Sequence, residues 1–312
     1  MEIGAIEIRS LDRETVRQLS QRSDARGFVQ LAAHLGLLCA TGTLVFVSRG
    51  HPWLAPALVL HGIVLSFVFC ALHESIHRTA FASRWANEAV AWICGAVLML
   101  PPEYFRCFHY THHRFTQDPA RDPELAQPGP PSTLGSYLWR VSGLPYWHDR
   151  LTVTLRHALT GRVTEAFIPA ANAPLIVREA RILWGCYLGV IALSLYVQRA
   201  DALIYWVIPA LLGQPFLRLF LMAEHIGCPL SDDMLANTRT TRTNAAIRLL
   251  TWRMPYHAEH HCVPSVPFHA LGKLNALVGG RVQVRAAGYL ALHRALLREF
   301  IAARSTARRA GP

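Results

Sequence analysis

The chain has 312 residues, of which 52% are hydrophobic and only 16% charged, whereas a soluble domain carries about 25% charged residues. That deficit excludes an ordinary soluble domain and points to a membrane protein. The formal net charge is +11 and Lys273 is the only lysine, so the positive charge is almost all arginine, and beside such long apolar runs anionic lipid fits it better than nucleic acid.

In chain order, residues 1–27 are charged throughout and read as a cytoplasmic segment, neither a signal nor a transit peptide by composition. Residues 28–72 form a first hairpin of two spans, Phe28–Val47 and Trp53–Leu72, joined by "SRGHP"; each has the roughly 20 apolar residues that a bilayer crossing needs. Residues 73–181 form a cytoplasmic and interfacial region. Within it Ala89–Leu100 is apolar but stops at Pro101-Pro102, too short to cross, and predicts a re-entrant or interfacial helix. A polar excursion, Gln127–Arg181, opens with "QPGPPSTLGSY". Residues 182–224 form a second hairpin, Ile182–Val197 and Ala202–Ala223, joined by "QRAD". The rest, residues 225–312, is cytoplasmic. Its tail, Ala286–Arg309, has apolar residues at helical spacing among arginines and predicts either a basic amphipathic helix on anionic lipid or a solvated cap helix.

Charge orients these spans. Of the 31 Lys and Arg, the hairpin loops hold only Arg49 and Arg199, and Arg218 alone lies inside a span. By the positive-inside rule both termini and the middle region are cytoplasmic and the hairpin tips face out, as in a bacterial inner membrane. The seven cysteines are scattered without a C-x-x-C and read as reduced core residues, with Cys262 weighed as a thiolate ligand beside His261.

Nine of the 16 histidines make a pattern. His73 and His77 form H-x-x-x-H in "HESIH". His109, His112 and His113 form H-x-x-H-H in "HYTHH", and His257, His260 and His261 repeat it in "HAEHH". His225 stands alone at the end of the fourth span. Positions i, i+3 and i+4 share a helix face, so each box can aim two or three imidazoles at one point. The predicted topology puts all nine at one membrane face. "HESIH" alone matches the zinc-protease pattern, with Glu74 as base, but leaves six clustered histidines unexplained. A metal transporter would string ligands along its spans instead. Nine imidazoles exceed the four that one tetrahedral zinc takes and suit two metals with four or five ligands each; ligand type does not choose among iron, copper and zinc.

The three boxes, in this order among two helical hairpins, resemble the integral-membrane fatty acid desaturase and hydroxylase superfamily, over Leu54 to Leu274. "TRTTRTN" (Thr238–Asn244) and "MPYHAEHHCVPSVPFHAL" (Met254–Leu271) are similar to its acyl-lipid desaturase branch. The resemblance implies an all-α membrane protein of two hairpins with a cytoplasmic helical cap. That cap would hold two irons on His73, His77, His109, His112, His113, His257, His260 and His261, with His225 as the further ligand. Some relatives place an Asn one turn before that histidine; Leu221 occupies the position here. It also implies O2 as co-substrate, a double bond introduced into a fatty acid or lipid, and an external ferredoxin- or cytochrome-type electron donor. Hydroxylation, ketone formation and oxidative decarboxylation of a free fatty acid are alternatives on the same ligand set.

Carboxylates near the ligands in sequence are candidates to orient them: Glu74, Asp118, Asp122, Glu224 and Glu259. Arg218, two turns before His225 within a span, is costly there and is a candidate to bind substrate, to anchor a carboxylate, or to serve structure alone. His34 and His61 read as core histidines. His51, His148, His157, His269 and His293 are unassigned, with His269 nearest a box.

Overall fold

The computed structural model describes residues 11–126 and 129–309, and the backbone alone for 303–309. The expectations for residues 1–10, for Gln127 and for the last arginine side chains lie outside the described residues.

The chain is nearly all helix. After α1 (Arg13–Leu19), α2 (Asp24–Val47) starts at Ser23, whose side chain accepts from Arg26 N, and runs as an unbroken rod. α3 (Leu54–Ser66) and α4 (Val68–Ile76) continue one apolar rod with a break at Phe67. α5 (Arg84–Leu98) stops at Met99, whose φ of 54° reverses the chain. Pro102 then opens α6 (Pro102–Phe115), where a missing N–H costs nothing. α7 (Leu134–Val141) and α8 (Leu144–Thr160) lead to α9 (Ala173–Tyr196). A wide turn at Leu203–Val207 runs into α10 (Ile208–His225).

Among the described residues three helices are long and apolar enough to cross a membrane: Asp24–Val47, Leu54–Ile76 and Leu203–His225. The expected span Ile182–Val197 is the later part of α9. The first half of α9 carries Arg178, Glu179 and Arg181, and α9 is not one of the three. The short apolar stretch Ala89–Leu100 lies in and just after α5, which at 15 residues is about 22 Å long, below a bilayer's thickness.

Backbone contact holds the hairpins together. A Cβ on Gly213 of α10 would fall 1.8 Å from the Gly62 carbonyl oxygen of α3, so only paired glycines permit this approach. At the other end Arg49 and Asp201, one from each hairpin tip, meet at 3.1 Å, which puts both tips at one end. His34 and His61 are buried and bonded: His34 Nε2 meets Val64 O at 3.0 Å, while His61 meets Thr41 Oγ1 at 2.8 Å and Tyr205 O at 3.0 Å. The wide turn frees that last carbonyl.

The end opposite the tips is closed by short elements: α11 (Met234–Asn237), β1 (Arg239–Thr241), α12 (Ala245–Leu250), α13 (His257–Cys262), α14 (Leu271–Val278) and β2 (Val284–Ala286). β1 and β2 pair in parallel, Arg239 opposite Val284. α15 (Tyr289–Arg309) forms the tail. Its start is docked on protein, with His293 buried between Tyr137 OH at 3.0 Å and Leu219 O at 2.9 Å. None of the seven cysteines is in a disulfide, and five of them are buried.

Candidate metal centre

Four elements deliver the nine histidines. α4 carries His73 in its last turn and is capped by His77; α6 presents His109, His112 and His113; α10 ends in His225; and α13 carries His257, His260 and His261. They sort into two groups that cut across the boxes. In one, the ligand atoms of His73, His77, His109, His113 and His260 lie within 4.8 Å of one another. In the other, those of His112, His225 and His261 do. His257 joins the second group: its Nε2 is 3.2 Å from that of His225 and 3.1 Å from that of His261. The groups abut where the rings of His113 and His261 stack at 4.0 Å.

This geometry fits metal better than it fits hydrogen bonding. A neutral imidazole nitrogen has one proton or one lone pair, hence one directed partner. Nε2 atoms run His112–His225–His257–His261 in three contacts of 3.2, 3.2 and 3.1 Å, and protons can satisfy at most two of them. His113 Nε2 likewise faces both His109 at 2.9 Å and His260 at 3.1 Å. Bonds of about 2.1 Å from imidazole to a metal, set at right angles, put neighbouring nitrogens about 3 Å apart, so a shared cation accounts for every contact. Both ring nitrogens of His73 and Nε2 of His77 are buried without a partner, which is costly unless a ligand takes them. The protonation states agree. Burial, and after it the Arg106 guanidinium, pushes His77 down to about 3. Burial likewise pushes His109, His113, His257, His260 and His261 well below the usual value, so these rings stay neutral, the form that binds a cation.

The outer contacts are uneven. In the four-histidine group Nδ1 of three rings makes a hydrogen bond, and that of His257 makes only a longer contact with a carboxylate. His112 meets Asp122 Oδ1 at 2.9 Å, His225 meets Asn237 O at 3.3 Å, His261 meets Thr116 Oγ1 at 3.1 Å, and His257 lies 3.4 Å from Glu224 Oε1. Burial disfavours a charge on His112, but Glu124 and Asp122 outweigh it and raise its pKa. In the five-histidine group Nδ1 of His113 and of His260 have none.

Of the five candidate carboxylates, Asp122 and Glu224 thus face imidazoles. Glu74 and Glu259 touch none. Glu74 accepts from Thr79 Oγ1 at 2.8 Å and Phe268 N at 3.2 Å, tying the first box to the loop after the third. Glu259 accepts from Thr240 Oγ1 at 2.6 Å and from Asn275, which bolts α13 to β1 and α14. Asp118 pairs with Arg121 on the exposed turn after α6. Arg218 stacks on the Tyr146 ring at 4.6 Å. His269 bonds Arg26 at 3.1 Å and belongs to neither group.

Sequence proximity passes over four contributors. Asn237 supplies the carbonyl to His225 and donates through Nδ2 to Thr116 O at 3.1 Å. Gln117 donates through Nε2 to His225 O at 2.9 Å and through its backbone N to Asp122 Oδ2 at 2.8 Å. Thr116 caps α6 and reaches His261. Arg239 closes the end of α10 by donating to Ala223 O and Ile226 O, each at 2.6 Å. Asn237, at the edge of "TRTTRTN", and Arg239, inside it, carried the only hint.

Comparison with known proteins agrees with this geometry. The fatty acid desaturase family model matches residues 50–292. The chain is 25% identical over 283 residues to the dihydrorhizobitoxine desaturase of Bradyrhizobium elkanii, covering 84% of this chain and 78% of that protein. It is 22% identical over 268 residues to a sphingolipid delta(4)-desaturase DES1-like protein of Oryza sativa subsp. japonica, covering 81% and 73%. Over 109 residues it is 31% identical to the delta(12) fatty acid desaturase of Mortierella alpina, a match of 33% of this chain and 27% of that one.

Proposed function

The chain belongs to the fatty acid desaturase family, and on that premise we propose that it is an O2-dependent di-iron oxidase of the membrane that introduces a double bond into the acyl chain of a fatty acid or lipid. It is an oxidoreductase; the substrate and the metal are the proposal. The observation that carries it is the sorting of nine imidazoles into groups of five and four with converging Nε2 atoms. Iron held there would supply reductive activation of O2 and, through it, removal of hydrogen from an unactivated methylene.

The chain's own residues prepare that chemistry. Asp122, Thr116 and the Asn237 carbonyl occupy the Nδ1 side of His112, His261 and His225, which leaves each Nε2 lone pair directed inward. Phe69 and Phe105, 5.3 Å apart, stand against His73 and His109 and make the apolar wall along which an acyl chain lies and from which water is excluded. On the other side His77 and His113 line an open depression of about 480 Å³ flanked by Arg22 and Arg114. That basic rim suits an external electron donor, of ferredoxin or cytochrome type, with an acidic face.

The topology proposed with this function has four spans, α9 supplying the third in chain order, with the arginine-rich face, the histidines and both termini in the cytoplasm. The Arg49–Asp201 link between the hairpin tips supports it. The function is tested by lipid analysis of a host expressing the protein or its His112→Ala variant. New unsaturated lipid with the parent alone, and about two irons per purified chain, are expected. One zinc per chain with activity that survives without O2 would overturn the reading.

A further inference from the structure

Arg218 sits inside the apolar span Leu203–His225, where a charge is costly and needs a partner. Among the described residues no carboxylate lies within ion-pairing distance of it; Glu124 and Glu224 act on it only at longer range. Its Nε donates to the neutral Gln214 Oε1 at 3.1 Å and its guanidinium lies over the Tyr146 ring. The acids of this region face the histidines instead: Glu224 lies 3.4 Å from His257 Nδ1, and Glu124 lies 3.9 Å from His112 Nε2. Other arginines are engaged, Arg150 with Asp149 and the Tyr104 hydroxyl, Arg140 with the Gly129 carbonyl.

Beside Arg218 two more donors are unused. Gln214 is wholly buried and its Nε2 has no acceptor. Gly143 lies against it, since a Cβ there would stand 2.7 Å from Gln214 Cγ. One turn further along α8 the indole Nε1 of Trp147 is also buried without an acceptor. The charged fork, held at Nε by Gln214, thus lies over Tyr146, whose ring is 5.1 Å from that of Trp147, and the Gln214 and Trp147 N–H groups of this region have no acceptor. Such a set matches a single carboxylate, which offers two oxygens and four lone pairs. A phosphate, with its larger charge, would call for a second free cation.

We propose that Arg218, with Gln214 and Trp147, moors the carboxylate of the substrate, so that the enzyme takes an alkyl chain bearing a free carboxylate. This rests on the desaturase reading. It also bounds where oxidation falls. Seven residues of helix separate Arg218 from His225, about 10 Å. With carbon–carbon bonds of about 1.5 Å in a zigzag, roughly eight carbons cover that distance. The oxidised position therefore lies about eight carbons from the carboxylate.

The test is equilibrium binding of laurate, dodecanol, methyl laurate and dodecyl phosphate to the full chain in lipid nanodiscs, for the parent, Arg218→Gln and Arg218→Lys, with iron content measured on each. Laurate is expected to bind at least tenfold tighter than dodecanol or the ester. Arg218→Gln should abolish that preference and Arg218→Lys should keep part of it, with iron content equal in all three. Equal affinity of the parent for laurate and dodecanol, or an unchanged preference in Arg218→Gln, overturns the proposal, as does tighter binding of dodecyl phosphate than of laurate. If the parent binds laurate selectively but takes up no iron, the desaturase reading fails while the mooring site stands.

Discussion

The two histidine groups share a wall, the stacked rings of His113 and His261, yet they are built differently. The four-histidine group is the better braced: Nδ1 of His112, His225 and His261 is hydrogen-bonded to a carboxylate, a carbonyl and a hydroxyl, while that of His257 lies 3.4 Å from Glu224 without a hydrogen bond. The five-histidine group has one more ring and little bracing, with His73, His113 and His260 each holding unpartnered nitrogen. Bracing fixes tautomer and ring angle before the metal arrives. Without it, ring orientation must be set by the metal itself and by packing, as from Phe69 and Phe105. The braced group is therefore preorganised, while the other gains its order on loading.

The most damaging change to this arrangement is at the shared wall. His113→Ala removes a ligand from one group and the stacking partner of the other, and product formation should fall more than about 100-fold, beyond what loss of an outer contact costs; assays of product and of iron per chain read it. Asp122→Asn removes the charge that faces His112 Nδ1 and leaves one acceptor oxygen where two serve His112 and Gln117 N. Metal affinity of the four-histidine group should weaken about 10–100-fold, and stepwise chelation should release one metal early and one late. Equal release of both would break the distinction between the groups. Asn237→Ala leaves the His225 carbonyl contact in kind but frees Thr116 O and Ser231 O, and a drop of roughly 1–3 kcal/mol in unfolding free energy is expected for those lost buried bonds, seen as a lower Tm. Glu74→Gln keeps the acceptor for Thr79 and Phe268, so activity should fall only a few-fold with iron content retained; complete loss would restore a direct role for Glu74. Asp118→Asn, on an exposed turn, should change stability by less than about 0.5 kcal/mol.

The histidine boxes, whose rings converge, and the three long apolar helices were legible in the sequence because spacing and apolar length are local properties. The division of the rings into two groups was not. His112 and His113 are neighbours in one box yet serve different groups, and so do His260 and His261, because adjacent residues on a helix diverge by about 100°. Bracing was half legible. Asp122 and Glu224 touch imidazoles, whereas Glu74, Asp118 and Glu259, as close in sequence, point elsewhere. The His225 brace comes from a backbone carbonyl, for which no side-chain pattern exists. The span expected at Ile182–Val197 falls in a helix whose charged first half blurs its apolar second half.

The glycine contact between α3 and α10 has a consequence for biosynthesis. In the proposed four-span topology the two hairpins would insert as separate units, and each carries only part of the ligand set. Gly62 against Gly213 is a notch that admits one sliding position. A slip of a single helical turn would shift one hairpin by about 5.4 Å, more than the 2.9–3.2 Å that separates the converging nitrogens, and neither centre would assemble. A pair of residues with no side chains thus acts as the alignment key for a site built well away from it.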